Sequence, residues 1–221
     1  MKNICLILIL LSNALFSQEL EIIIPEDNVT NFISHENTSF CYKIKNKSNK
    51  YYKIFFEPDG FSTAENEVVD FPSLGLADLR IYNDQNLLKP NSGSDALQKQ
   101  PRELPTQEEL VLFKKKKQLK TTDISYLSLL YKIDKRLITL APKETKSFCT
   151  NISLPLYNSP ADIGSLMYEL ENDKKYAVQL HLNIPKEILQ KYTGTVKNQL
   201  KKYKMFSGTI ISNKASFILA K

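Results

Sequence analysis

From Tyr176 to Ile184 every second residue is apolar: Tyr176, Val178, Leu180, Leu182 and Ile184 alternate with Ala177, Gln179, His181 and Asn183. Successive side chains of an extended chain point to opposite faces, so this spacing predicts a strand with one buried and one outer face. The rhythm recurs in short pieces: Glu19 to Ile24, Phe40 to Lys45, Tyr51 to Phe56, Leu79 to Tyr82 with Leu87-Leu88, and Leu137 to Leu140. It continues through Ser147 to Leu154, Phe206 to Ile211 and Ala215 to Leu219. Turn-forming residues close most of them: Pro25, Asn46-Lys47-Ser48-Asn49, Pro58-Asp59-Gly60, Asn83-Asp84-Gln85-Asn86 and Ala141-Pro142-Lys143-Glu144. Across Ser212-Asn213-Lys214 the apolar parity shifts, which predicts a bulge or a tight turn. Seven or more short strands of this kind predict an all-β, antiparallel β-sandwich.

Two stretches break the rhythm. Residues 89–135 begin with the loop-like Lys89-Pro90-Asn91-Ser92-Gly93-Ser94 and continue into Thr106-Gln107-Glu108-Glu109, which has capping-box spacing. A second helix is expected over Asp123 to Asp134, with Ile124, Leu127 and Tyr131 on one face. Lys186 to Lys204 places Ile188, Tyr192, Val196, Leu200 and Tyr203 near helical spacing, weakened at Gly194. The expectation is therefore one domain over residues 18–221, with a partly helical insertion at 89–135 and a helical connection before the last strand.

Met1 to Ser17 reads as a cleavable signal peptide. Lys2 is the positive start, Ile4 to Leu11 the apolar run, and Asn13-Ala14-Leu15-Phe16-Ser17 a polar break with a small residue at the cut. The run is too short for a hydrocarbon core of about 30 Å, and no later segment is apolar for long enough to span a bilayer. Export leaves Cys41 and Cys149. Both occupy the parity opposite to their apolar neighbours, so both belong on the outer face of a strand. They form a disulfide between neighbouring strands or remain two thiols in an oxidising compartment, and the even count favours the bridge.

In that frame, Phe40-Cys41-Tyr42-Lys43-Ile44-Lys45-Asn46-Lys47-Ser48 resembles a strand and turn found near the start of bacterial exported immunoglobulin-like domains. Leu140-Ala141-Pro142-Lys143-Glu144 is similar to their Leu-x-Pro-Gly-Glu turn, with lysine at the glycine position. Asp173-Lys174-Lys175-Tyr176 resembles the approach to a tyrosine corner, which would return the Tyr176 hydroxyl to nearby backbone. Phe206-Ser207-Gly208 followed by Ser212-Asn213 is similar to the ending of poorly characterised members of the group. The resemblance implies an immunoglobulin-like sandwich in the periplasm or outside the cell, and no particular activity.

Chemistry is sparsely signalled. His35 lies in a polar loop and His181 on an outer face, so both are expected at the surface rather than in a zinc site or a Ser-His-Asp triad. Glu57, Asp59, Glu65, Glu67 and Asp70 lack the ordered spacing of a calcium loop. No cofactor, no metal and no enzymatic activity are expected. The formal net charge is +6. Residues 89–120 hold eight basic residues against four acids, and residues 186–204 six against one. Lys114, Lys115, Lys116 and Lys117, with Lys197, Lys201, Lys202 and Lys204, are the candidate binding surface for an anionic envelope component or an envelope protein. The simpler reading of the residues, and the preferred one, is two solvated helix faces packed on the sandwich by their apolar stripes. Nucleic acid is not an expected partner of an exported chain. The best reading is a non-enzymatic binding or structural module of the cell envelope; the alternatives are an inhibitor or immunity protein against an envelope-acting hydrolase and, third, a hydrolase with dispersed carboxylates.

Overall fold

A computed structural model describes residues 19–25, 31–63, 75–93, 105–158, 165–186 and 204–221. The expected leader, nearly all of the connection over 186–204, and Glu65, Glu67 and Asp70 lie outside these residues. The described strands confirm an all-β sandwich around one core. Strands β1 (Leu20–Ile23), β3 (Asn37–Asn46) and β10 (Thr145–Ser153) form one sheet, with β3 central. A second sheet runs β2 (Asn31–Ile33), β16 (Ala215–Ala220), β13 (Lys175–Ile184), β6 (Ala77–Asn83) and β5 (Phe61–Thr63). Strand β15 (Gly208–Ile211) adds to β13, and β7 (Asn86–Leu87) forms the expected hairpin with β6.

Two smaller sheets contribute to the same core. One orders β14 (Lys204–Met205), β4 (Tyr52–Phe55) and β9 (Leu137–Leu140). The other orders β11 (Leu156–Asn158), β12 (Ser165–Met167) and β8 (Asn91–Gly93), so the start of the insertion is itself a strand. The sheets are not purely antiparallel as expected. The pairs β2–β16, β5–β6 and β4–β14 run parallel. None of these pairs is joined by a tight hairpin, and two-residue turns are what impose antiparallel neighbours. Strands β9 and β10, consecutive in the chain, pair with β4 and β3 and not with each other.

The sheets meet through aromatic residues on the inward parity. Phe40 of β3 stands edge-on to Phe61 of β5 at 5.7 Å and tilted against Phe32 of β2 at 6.4 Å, while Phe32 stands edge-on to Phe217 within its own sheet at 4.9 Å. Offset and edge-to-face contacts suit the ring quadrupoles and add about 1 kcal/mol each beyond area burial.

Cys41 and Cys149 are directly opposed in the β3–β10 ladder and form the disulfide, with Cα atoms 4.1 Å apart. Cys149 is exposed and Cys41 half-buried, so the bridge lies on the outer side of one sheet. It closes a loop with a sequence separation of 108. Loop entropy alone gives about 4.7 kcal/mol for a loop of that length, and disulfides typically deliver about 2–4 kcal/mol of such a value. Replacing both cysteines by alanine is expected to lower the unfolding free energy by about that amount, read as a lower urea midpoint with the fold's circular dichroism retained.

The two resemblance turns are bound to each other. Asn46, fully buried, donates from Nδ2 to the carbonyls of Lys50 at 2.7 Å and Ala141 at 2.8 Å. Its Oδ1 accepts from the Ser48 amide at 3.0 Å and from the Ser48 hydroxyl at 2.8 Å. The Asn46 amide donates to the Glu144 carbonyl at 2.9 Å. Lys143, at the usual glycine position, has a left-handed φ of 62°. Asn46→Ala leaves several of these groups unpaired, and each buried orphan costs about 1–3 kcal/mol. The expected loss is about 3 kcal/mol in a denaturant titration.

The C-terminal parity shift is a bulge. Strands β15 and β16 follow one another along the same edge of β13, with Ser212 and Asn213 between them. There the Ser212 hydroxyl accepts the Leu180 amide at 2.9 Å, and the Asn213 side chain pairs with both the amide and the carbonyl of Ile24. Asn213 thereby joins the edges of the two main sheets. The Tyr176 hydroxyl accepts the Glu171 amide at 2.8 Å, the local contact expected of it.

Candidate functional site

Both helices of the insertion start where the sequence sets a cap. Helix α1 (Gln107–Lys117) has Thr106 as N-cap and a complete capping box with Glu109. Helix α2 (Ile124–Lys135) has Asp123 as N-cap, accepting from the Tyr126 amide. The inner faces differ from expectation in one respect. Leu127, Leu130 and Ile133 are buried on α2, whereas Ile124 is 64% exposed in the first turn, ahead of the packed face.

The helical pair has its own small core of Leu110, Phe113, Leu127 and Leu130. Along both helices contacts run in the same order: Glu109 Oε1 with the Tyr131 hydroxyl at 2.9 Å, then Phe113 edge-on to Tyr131 at 5.4 Å, then Lys117 with Asp134 at 2.6 Å. Such an order excludes a tight antiparallel hairpin. Anchorage to the sandwich comes at the end of α2. Ile133 enters the main core, and the nearly buried Arg136 pairs with Glu57 at 3.1 Å.

The eight candidate lysines fare unequally. Lys197, Lys201 and Lys202 lie outside the described residues. Lys204 is held by Glu19 at 2.9 Å and lies 5.2 Å over the Tyr52 ring. That hydrogen bond, with the charge of Lys204, holds the Glu19 carboxyl below its usual range. Lys117 is held by Asp134, with its ammonium 6.0 Å from the Phe113 ring centre. Lys114 is half-buried, and Lys115 and Lys116 are exposed. One turn before them stand Val111, 58% exposed, and Leu112, 60% exposed. Side chains four apart share a helix face, so α1 carries an outer stripe of Val111, Leu112, Lys115 and Lys116. Val111 was legible as a neighbour of the lysines; Leu112 was not, because four consecutive apolar residues, Leu110 to Phe113, leave the buried side ambiguous.

A second polar group lies on the outer face of the large sheet. Ser62, Asp78 and His181 are neighbours across β5, β6 and β13. Asp78 stands between the other two and takes the Ser62 hydroxyl, so no imidazole reaches the serine and the row is no Ser-His-Asp triad. Burial raises the Asp78 carboxyl against that hydrogen bond and Arg80. The Arg80 Nε is buried and has no hydrogen-bond partner among the described residues.

His181, expected at the surface, is half-buried. Gln179 donates to the Ser212 carbonyl at 2.9 Å, which turns its Oε1 toward the Tyr82 hydroxyl at 3.1 Å and His181 Nε2 at 3.0 Å. An amide oxygen only accepts, so the neutral imidazole carries its proton on Nε2. Exposed His35 matches expectation. Among the described residues no group of three or more His, Cys, Asp or Glu is placed to hold a metal. A shallow depression of about 290 Å³ beside the disulfide is lined by Ser39, Asp59, Cys149, Thr150 and Asn151. Among the described residues no helix is long and apolar enough to cross a membrane.

Burial and the Arg80 charge push the His181 imidazole down from 6.5 to about 4. Between those values the unfolded chain binds the extra proton and the folded one resists it, so stability is full above the unfolded value and falls as acid is added. His181→Gln is expected to flatten this part of the profile. Urea midpoints of both proteins across that pH window test it; parallel curves would contradict the assignment.

Compared with known proteins, the chain matches no family model, no curated protein and no solved structure.

Proposed function

We propose that the protein is an exported, non-enzymatic binding module of the cell envelope, built on an immunoglobulin-like sandwich, with an anionic partner. The observation that carries the reading is the outer stripe of α1. It places two exposed aliphatic residues beside two exposed lysines on an element with its own small core. Exposed apolar side chains next to a pair of like charges mark a contact surface more than an isolated apolar residue does, with Glu108 set apart at the other end of the helix. The surface disulfide fits an oxidising compartment, periplasmic or extracellular, as does the leader read from the sequence. The Asn46 and Tyr176 contacts support the immunoglobulin-like lineage.

The inhibitor reading draws on a different feature. Helix α1 rests chiefly on α2 rather than on the sheets, as suits an element offered to a cleft. There the partner is a protein and is destroyed when the envelope is treated with protease.

The test is co-sedimentation of the exported, processed protein with a bacterial envelope fraction at low and high salt. Retention is expected to weaken with salt, because exposed charges are screened within about 10 Å at 0.1 M. Lys115→Glu with Lys116→Glu is expected to reduce it at least about tenfold at low salt. Retention indifferent to both would remove the reading.

A further inference from the structure

We infer that the surface met by α1 is an anionic phospholipid leaflet, on which the helix lies with Val111 and Leu112 at the acyl boundary and Lys115 and Lys116 against the headgroups. This rests on the envelope-binding reading and names its partner.

The argument begins with a conflict inside α1. Leu110 and Phe113 already supply the side that packs on α2, yet Val111 and Leu112 are apolar too and point away from it. Packing among the described residues does not account for the second apolar side. Its neighbours settle the charge it faces. Among the acids of the helical pair, Glu109 is engaged by the Thr106 amide and the Tyr131 hydroxyl, Asp123 by the Tyr126 amide, and Asp134 by Lys117. The bonds from Thr106 and Tyr131 hold the Glu109 carboxyl low, so it stays ionised in that internal role. The outer stripe keeps Glu108 at the N-terminal end of the helix and Lys115 and Lys116 at the other. A negatively charged plane therefore draws the lysine end down.

The shape of the stripe decides between lipid and protein. It is a convex line on one helix, with aliphatic side chains followed by long flexible cations. Interfacial helices use that pattern: apolar side chains enter about 5–10 Å below the headgroups while lysines reach outward to phosphate. Each lysine near such a surface contributes about 1 kcal/mol, or about fivefold in affinity.

The experiment is sedimentation of the exported, processed protein with vesicles. One set is phosphatidylcholine alone; the other carries about one-third phosphatidylglycerol, enough to give a surface potential of tens of millivolts. Binding is expected only to the anionic set, and it should fade with salt. Lys115→Gln with Lys116→Gln is expected to weaken it about 30-fold, and Leu112→Gln about tenfold. All three side chains are exposed, so the urea midpoint of each variant should match the parent and separate lost binding from lost folding. No binding to anionic vesicles, equal binding to both sets, or binding unchanged in the variants would overturn the inference. If the envelope fraction still retains the protein in that event, the envelope reading stands with a protein or glycan partner. If retention is absent as well, both fall.

Discussion

Everything in the sandwich is referred to the pairing of β3 with β10, two strands far apart in the chain that run opposed over nine residue pairs. β3 is the centre of its sheet, and its inward residues Phe40, Tyr42 and Ile44 fill the core opposite β5 and β2. A slip of one residue would turn these rings to solvent. The disulfide forbids that slip covalently, because Cys41 and Cys149 face each other only in the native register. Since the core parity is taken by aromatic and aliphatic residues, the bridge has the outer side left to it.

The corners of the sandwich are held by side chains that substitute for missing backbone partners. A buried asparagine at the end of β3 satisfies carbonyls in two turns, and Ser212 and Asn213 satisfy amides where the last strand bulges. Polar groups buried without such partners would each cost about as much as a well-packed core residue contributes. Local irregularity is tolerated where it is fully hydrogen-bonded, and these corners carry the residues on which the resemblance to exported immunoglobulin-like domains rests.

The helical pair follows a different logic. Its core is small, its starts are fixed by Thr106 and Asp123, and Ile133 and Arg136 join it to the strands. An element so lightly embedded keeps much of its surface. α1 uses that surface for two aliphatic residues and two lysines, whereas Lys117 and Lys204 are bound to acids within the chain. A run of four lysines in sequence is thus two external cations, one half-buried and one internal.

The sequence by itself determined what depends on local spacing. The alternation over Tyr176 to Ile184, the capping box at Thr106, the polar turns and the outward parity of both cysteines are properties of neighbours along the chain. Physical chemistry of the backbone reads them directly. Only the tertiary structure decided which strands meet. It paired β9 with β4 and β10 with β3, ran three pairs parallel, and made residues 212–214 a bulge. It also set Ser62 and His181 on either side of Asp78, and placed Ile124 outside the helix core. These outcomes depend on long-range closure and on which of two apolar sides finds a partner, and neither is encoded in the period of any one segment.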